Sequence, residues 1–222
     1  MKNLSTKTIG HIKNALFIAC LIPLTKLLFA FFTDTFGPDP VADITHVTGI
    51  WTLNLLIATL TITPLRKWTH WNWLMRLRRT LAMFAFFYAS LHLLSYLIFD
   101  QLFDWAEIGR DLSKRPYMIA GMTSFILMIP LAITSTTAMM KRMGGRNWQL
   151  LHRLAYPVAA AGVLHYLWLV KQDITQPSLY AIALLLLFCL RLTKSKPPTG
   201  VHVKLKPLGG IQVSLNDSNP PA

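Results

Sequence analysis

The sequence predicts an all-α integral membrane protein, a bundle of six transmembrane helices with both ends on the cytoplasmic side. Three observations point there. The chain has 222 residues, 53% hydrophobic and only 14% charged, with a mean hydropathy of +0.43. Its apolar residues come in long unbroken runs rather than amphipathic stripes, which is the pattern of membrane spans. Its basic residues gather in short clusters between those runs, and mostly between alternate ones. A formal charge of +13 would suggest nucleic acid in a soluble protein, but this clustering ties the charge to topology instead. Cys20 and Cys189 both fall inside expected spans and lack metal-type spacing, which argues against a disulfide framework or a zinc site.

The first span, about residues 12–32, follows Lys2, Lys7 and Lys13. It reads as a retained helix, because the apolar run is too long for a cleavable signal and no small-residue cleavage site follows it. Lys26 in its outer half reads as snorkelling toward the nearer interface. The connector TDTFGPDPVAD holds acids and prolines but no base, which assigns it to the translocated side and the N-terminus to the inside. The second span, about 44–64, opens with THVTG and stops at Pro64 and Arg66. His46 near its start reads as an interfacial hydrogen-bonding group rather than an axial ligand. Trp68, Trp71, Trp73, Arg76, Arg78 and Arg79 then form an inner-interface belt in which His70 is also interfacial.

The third span, about 78–99, runs outward and carries His92 some two-thirds of the way across. Residues 100–116 mix acids and bases in a partly amphipathic pattern, expected to form an outer surface helix and a partner-docking candidate. The fourth span, about 117–137, returns through Pro130. The fifth, about 148–170, carries His152 near one end and His165 near the other, and exits at Lys171 and Asp173. The sixth, about 178–192, is plain and apolar and closes at Arg191, Lys194 and Lys196. Only Arg110, Lys114, Arg115 and Lys171 of the connector bases fall on the outer side, which fixes both ends inside. The tail, 194–222, contains PPTG, PLGG and NDSNPPA and has little means of burying a core.

The histidines give the chemistry. His152 and His165 are thirteen positions apart, about 20 Å along a helix, so one lies near each membrane face. Ionisable groups at such depth are costly and usually face a cavity or a cofactor. Running in opposite directions, the third and fifth spans bring His92 and His165 to one level on the outer side, where neutral imidazoles can hold a porphyrin from both faces. The structural alternative is a pair of core histidines bonded to neighbouring carbonyls or hydroxyls. A separation of thirteen turns the second ring about 220° from the first, so one straight helix does not aim both at one neighbour; a kink at Pro157 would re-aim the outer half. At the inner level, the position fourteen before His92 is Arg78 rather than histidine. An inner haem would then rest on His152, with Arg78, Arg79 or Arg153 against propionates or near the iron. A propionate or a quinone is likewise the alternative partner of Lys26. The sequence carries no nucleotide-binding glycine fingerprint and so no fused flavin and nicotinamide domain, and any electrons must arrive from elsewhere.

THVTG (45–49), TPLR (63–66), RLRRTL (76–81), FFYASLH (86–92), KRPY (114–117), LAITST (131–136), NWQLLHRLAY (147–156) and LHYLWLVK (164–171) together resemble the MsrQ family, formerly YedZ, within the wider ferric-reductase-like transmembrane proteins. The likeness spans the chain up to Leu192. It implies a subunit of the bacterial inner membrane that binds haem b, one or two per chain, and passes electrons to MsrP, a periplasmic molybdopterin enzyme that reduces methionine sulfoxide in oxidised envelope proteins. It implies His92, His152 and His165 as the haem-linked histidines. It also implies FMN, and a quinone or a cytosolic flavin reductase as donor, although no local motif for either is visible. The rival readings are a stand-alone ferric or quinone reductase, which would turn over acceptor without a partner, and a transporter with buried histidines in a proton path, which would be colourless.

Overall fold

The computed structural model describes residues 5–192, so the expectations for the tail fall outside the described residues. Helix α1 (Thr6–Thr33) is followed by α2 (Pro40–Thr69) and, after a 3-10 turn at Asn72–Leu74, by α3 (Met75–Ser95), which continues as a π-helical segment over Tyr96–Asp100. Next come α4 (Trp105–Lys114), α5 (Pro116–Ile133), α6 (Thr137–Met143) and α7 (Gly145–Leu151). A 3-10 turn at His152–Leu154 leads into α8 (Ala155–Leu169), and α9 (Thr175–Leu192) closes the described chain.

Local chemistry sets the ends of these helices. The Asp39 carboxylate caps α2 by accepting from the Ala42 amide at 3.0 Å, and Pro40 occupies the first helical position, where its missing N–H would have had no partner. Asp104 caps α4 in the same way through the amides of Ala106 and Glu107. At the start of α9 the Thr175 hydroxyl and amide hold the Asp173 carboxyl below the usual carboxylate range.

Two long antiparallel pairings organise the bundle, α2 along α3 and α5 along α8. Helix α2 is shared by both hydrophobic clusters. Its Leu55, Leu56 and Ile62 pack with Leu81, Phe84 and Tyr88 of α3, while its Leu53 and Leu60 pack with Val163 of α8 and with Leu184 and Leu187 of α9. Gly162 lets α8 close on α2, since a Cβ there would stand 3.2 Å from Leu53 Cδ2. Helix α1 lies against α3, where the fully buried Tyr88 hydroxyl donates to the Cys20 carbonyl at 2.7 Å and accepts from the Leu24 amide at 3.2 Å. That hydroxyl serves the helical backbone beside Pro23, whose ring removes a donor. The outward face of α1 is apolar, with Phe32 82% exposed, the inverse of a soluble surface and the pattern of a helix facing lipid.

Among the described residues, four helical stretches are long and apolar enough to cross a membrane: Thr6–Thr33, Pro40–Thr69, Asn72–Asp100 and Pro116–Ile133, with Thr175–Arg191 a shorter apolar helix. The predicted fifth span is not one helix. A 3-10 turn at His152–Leu154 separates α7 from α8, and Pro157 lies in the first turn of α8, where a missing N–H costs no intrahelical bond. The predicted fourth span ends earlier than expected, at Ile133, where the Thr134 hydroxyl bonds back to the Pro130 carbonyl.

Candidate functional site

His92 and His165 come together. Their ring centroids are 6.1 Å apart and their planes nearly perpendicular, at 84°. Each imidazole is held by the same device on the helix paired with its own. Nδ1 of His92 lies 2.9 Å from the Thr45 carbonyl on α2, and Nδ1 of His165 lies 2.7 Å from the Tyr117 carbonyl on α5. A carbonyl only accepts, so in each neutral ring Nδ1 carries the proton and Nε2 presents a lone pair. Four residues after each carbonyl stands a glycine that opens the way to it. A Cβ on Gly49 would meet His92 Nδ1 at 3.1 Å, and one on Gly121 would meet His165 Nδ1 at 2.7 Å. Thr45 and Ser95 lock the first arm further, their hydroxyls 2.9 Å apart while Ser95 donates to the His92 carbonyl at 2.8 Å.

Both rings line a cavity of about 600 Å³ between the two helix pairs, within the usual size of a cofactor pocket. Its walls include Leu53, Leu56, Phe125 and Met128, and Arg115, Gln101 and Asp100 line it as well. Two imidazoles on opposite sides of one metal ion, each about 2 Å from it through nitrogen, would have centroids about 6 Å apart. The observed separation, the proton placement and the apolar walls therefore fit a planar haem between these rings.

The third histidine has different surroundings. His152 stacks on Trp148, with centroids 4.0 Å apart, and its Nε2 is 3.1 Å from the Thr134 hydroxyl. That hydroxyl gives its one proton to the Pro130 carbonyl at 2.6 Å, so Nε2 of His152 is the donor and carries the hydrogen. The indole N–H of Trp148 closes the arrangement on the Thr134 carbonyl at 2.9 Å. His152 lines a second cavity of about 270 Å³ together with Arg78, Arg79, Ser135, Thr136 and Thr137. Leu56 and Met128 line both cavities and form the wall between them.

Of the other predicted residues, Arg78 and Arg79 line the inner cavity, whereas Arg153 is exposed and lines neither cavity. Lys26 is exposed on α1 and also lines neither. His46, read from sequence as interfacial, lines the outer cavity and lies 6.4 Å from the Tyr166 ring. Sequence reasoning missed Thr45, Gly49, Tyr117 and Gly121. Their signal was a glycine four residues after the acceptor on the neighbouring helix, in THVTG and in YMIAG.

Fold and site together define a helical membrane protein with paired imidazoles across a cofactor-sized cavity. The sequence model of the family described as "Ferric reductase like transmembrane component" matches residues 48–163, a stretch that contains His92 and His152 and ends two residues before His165. The chain is 50% identical over 182 residues to the "Protein-methionine-sulfoxide reductase heme-binding subunit MsrQ" of Herminiimonas arsenicoxydans, covering 81% of this chain and 84% of that one. It is 44% identical over 204 residues to the protein so described in Azospira oryzae, covering 86% and 88%, and 46% identical over 178 residues to that of Rhodospirillum rubrum, covering 80% and 86%. This chain belongs to the MsrQ family of the ferric-reductase-like transmembrane proteins.

Proposed function

We propose that this chain is a haem-b membrane subunit that carries electrons from the cytoplasmic side to the periplasmic methionine sulfoxide reductase MsrP, serving repair of oxidised periplasmic proteins. In this reading it crosses the bacterial inner membrane six times with both ends inside. The α7–α8 segment and α9 supply the last two crossings. The donor is the quinone pool or a cytosolic flavin reductase, and sulfoxide reduction itself belongs to MsrP.

The observation that carries the reading is the pairing of His92 with His165 at 6.1 Å, each with Nδ1 engaged by a carbonyl. The bonds from Nδ1 fix each ring's tautomer and orientation and raise the basicity of Nε2, the atom that would hold iron. Haem iron, when bound, supplies a one-electron couple whose potential follows its axial ligands and surroundings. The apolar side chains of Leu53, Phe125 and Met128 lower the dielectric on their side of the site. On the inner side, Arg78 and Arg79 offer guanidinium groups to an anion, either a propionate of a second haem or the phosphate of FMN. His152 would serve as an inner ligand through Nε2 only by releasing Thr134, so the reading places one haem firmly at the outer pair.

The test is a redox titration of detergent-purified protein, counting haem per chain. One low-spin haem lost in both His92→Ala and His165→Ala, and retained in His152→Ala, supports the assignment. Colourless wild-type protein under full haem supply overturns it.

A further inference from the structure

We propose that Asp111 is a positioning residue for the outer imidazole pair, an inference that rests on reading His92 and His165 as haem ligands. Asp111 lies on the polar-apolar helix α4, away from both rings, yet the residue is only 4% exposed. Three donors converge on it. Tyr96 gives its hydroxyl proton to Oδ2 at 3.0 Å, Gln101 Nε2 donates to the same oxygen at 3.2 Å, and Arg115 Nε meets Oδ1 at 3.1 Å. A buried carboxylate persists only when it is paired and hydrogen-bonded, and this one is both.

The donors come from the two segments that matter to the histidines. Tyr96 stands four residues after His92, in the π-helical continuation of α3. Arg115 immediately precedes α5 and donates from Nη1 to the Tyr117 hydroxyl at 3.3 Å, and the Tyr117 carbonyl holds His165. One carboxylate therefore ties the segment bearing His92 to the residue that orients His165. The turn that delivers Gln101 into this cluster places Leu102 and Phe103 in the left-handed region, at φ 46° and 60°. Such backbone conformations are costly for these residue types and persist where the surroundings over-determine them. The Phe103 amide bond to the Leu97 carbonyl at 3.0 Å and the Gln101–Asp111 bond are two of those constraints. Tyr96, Gln101 and Arg115 also line the outer cavity, so movement of this cluster changes the walls of the site.

Charge and position can be separated experimentally. Asp111→Asn keeps the shape but leaves the Arg115 cation uncompensated beside the cavity, whereas Arg115→Gln removes the cation and leaves the anion. Asp111→Asn leaves one acceptor oxygen where the carboxylate had two, so the Arg115 side and the Tyr96–Gln101 side are no longer both satisfied, and Arg115→Gln removes the Arg115 tie itself. Their charge effects on the iron have opposite signs. Electron paramagnetic resonance of the ferric full-length protein is expected to show a single low-spin signal in wild type and a broadened or divided one in both variants, with haem retained. The midpoint potential should rise in Asp111→Asn and fall in Arg115→Gln. If both variants keep the wild-type signal and potential, even with a lower melting temperature, Asp111 is merely structural and the proposal fails. Should Asp111→Asn not fold, Arg115→Gln and Tyr96→Phe, which leave the carboxylate with other donors, decide by the same two readouts. Wild-type protein whose haem signal ignores His92→Ala instead overturns the ligand reading beneath the proposal.

Discussion

The outer and inner cavities differ most in which nitrogen of the histidine is already engaged. In the outer cavity Nδ1 of both rings bonds a backbone carbonyl, leaving two Nε2 lone pairs across about 600 Å³. In the inner cavity Nε2 of His152 donates to a hydroxyl, the ring stacks on Trp148, and the space is about 270 Å³. The same residue type is a preorganised donor pair in one place and part of a packed hydrogen-bonded corner in the other. Depth and residue type alone do not distinguish a ligand from a core histidine; the partner of the second nitrogen does.

The largest test of this contrast is removal of the rings. His92→Ala or His165→Ala should abolish the low-spin visible spectrum, whereas His152→Ala should leave it in place, as read by difference spectra at matched protein concentration. Equal losses in all three variants would erase the distinction between the cavities.

The glycine notches come next. Gly121→Ala forces a Cβ to 2.7 Å from a ring already fixed by its carbonyl bond, so His165 must shift; Gly49→Ala brings one to 3.1 Å from His92, which a few tenths of an ångström relieve. Haem content and low-spin character should fall sharply in Gly121→Ala and mildly in Gly49→Ala. A reversed order would show that the two arms are not held by the same device.

Much of the outer site was legible in the sequence because it depends on direction and depth. Two histidines on oppositely running apolar segments reach one level wherever the loops between them are short, and His92 and His165 do so. The carbonyls of Thr45 and Tyr117 were not legible, since every residue carries a carbonyl and only packing selects which one a ring meets. His46, expected at the interface because it stands alone near a helix start, is exposed and also lines the outer cavity, near the Tyr166 ring of α8. The 3-10 turn at His152–Leu154 was hidden for a different reason. Pro157 drew attention as the expected kink, but a proline in the first turn of α8 costs no intrahelical bond, while nothing in His-Arg-Leu marks a 3-10 turn.

On the inner side, Thr134→Val keeps the shape of the residue and removes the hydroxyl that His152 and the Pro130 carbonyl share. The half-buried Nε2–H then loses its acceptor, a loss of about 1 kcal/mol in stability. The thermal midpoint should drop while the outer low-spin spectrum stays as in wild type. A changed outer spectrum would mean that the wall formed by Leu56 and Met128 transmits displacement between the cavities.

The smallest expected effect comes from Tyr88, one turn before His92 on the same helix but bonded to α1. Its hydroxyl makes two bonds to the α1 backbone, at 2.7 Å and 3.2 Å, beside Pro23. Tyr88→Phe deletes both and leaves the Cys20 carbonyl and the Leu24 amide to re-form helical geometry next to the proline, at a cost of about 1 kcal/mol. The loss should appear in thermal unfolding alone. Because α1 lines neither cavity, haem content, midpoint potential and ligand spectrum should all remain at wild-type values. A shift in potential would show that the seating of α1 sets the pitch of α3 and hence the aim of His92, making the first helix part of the site instead of its outer support.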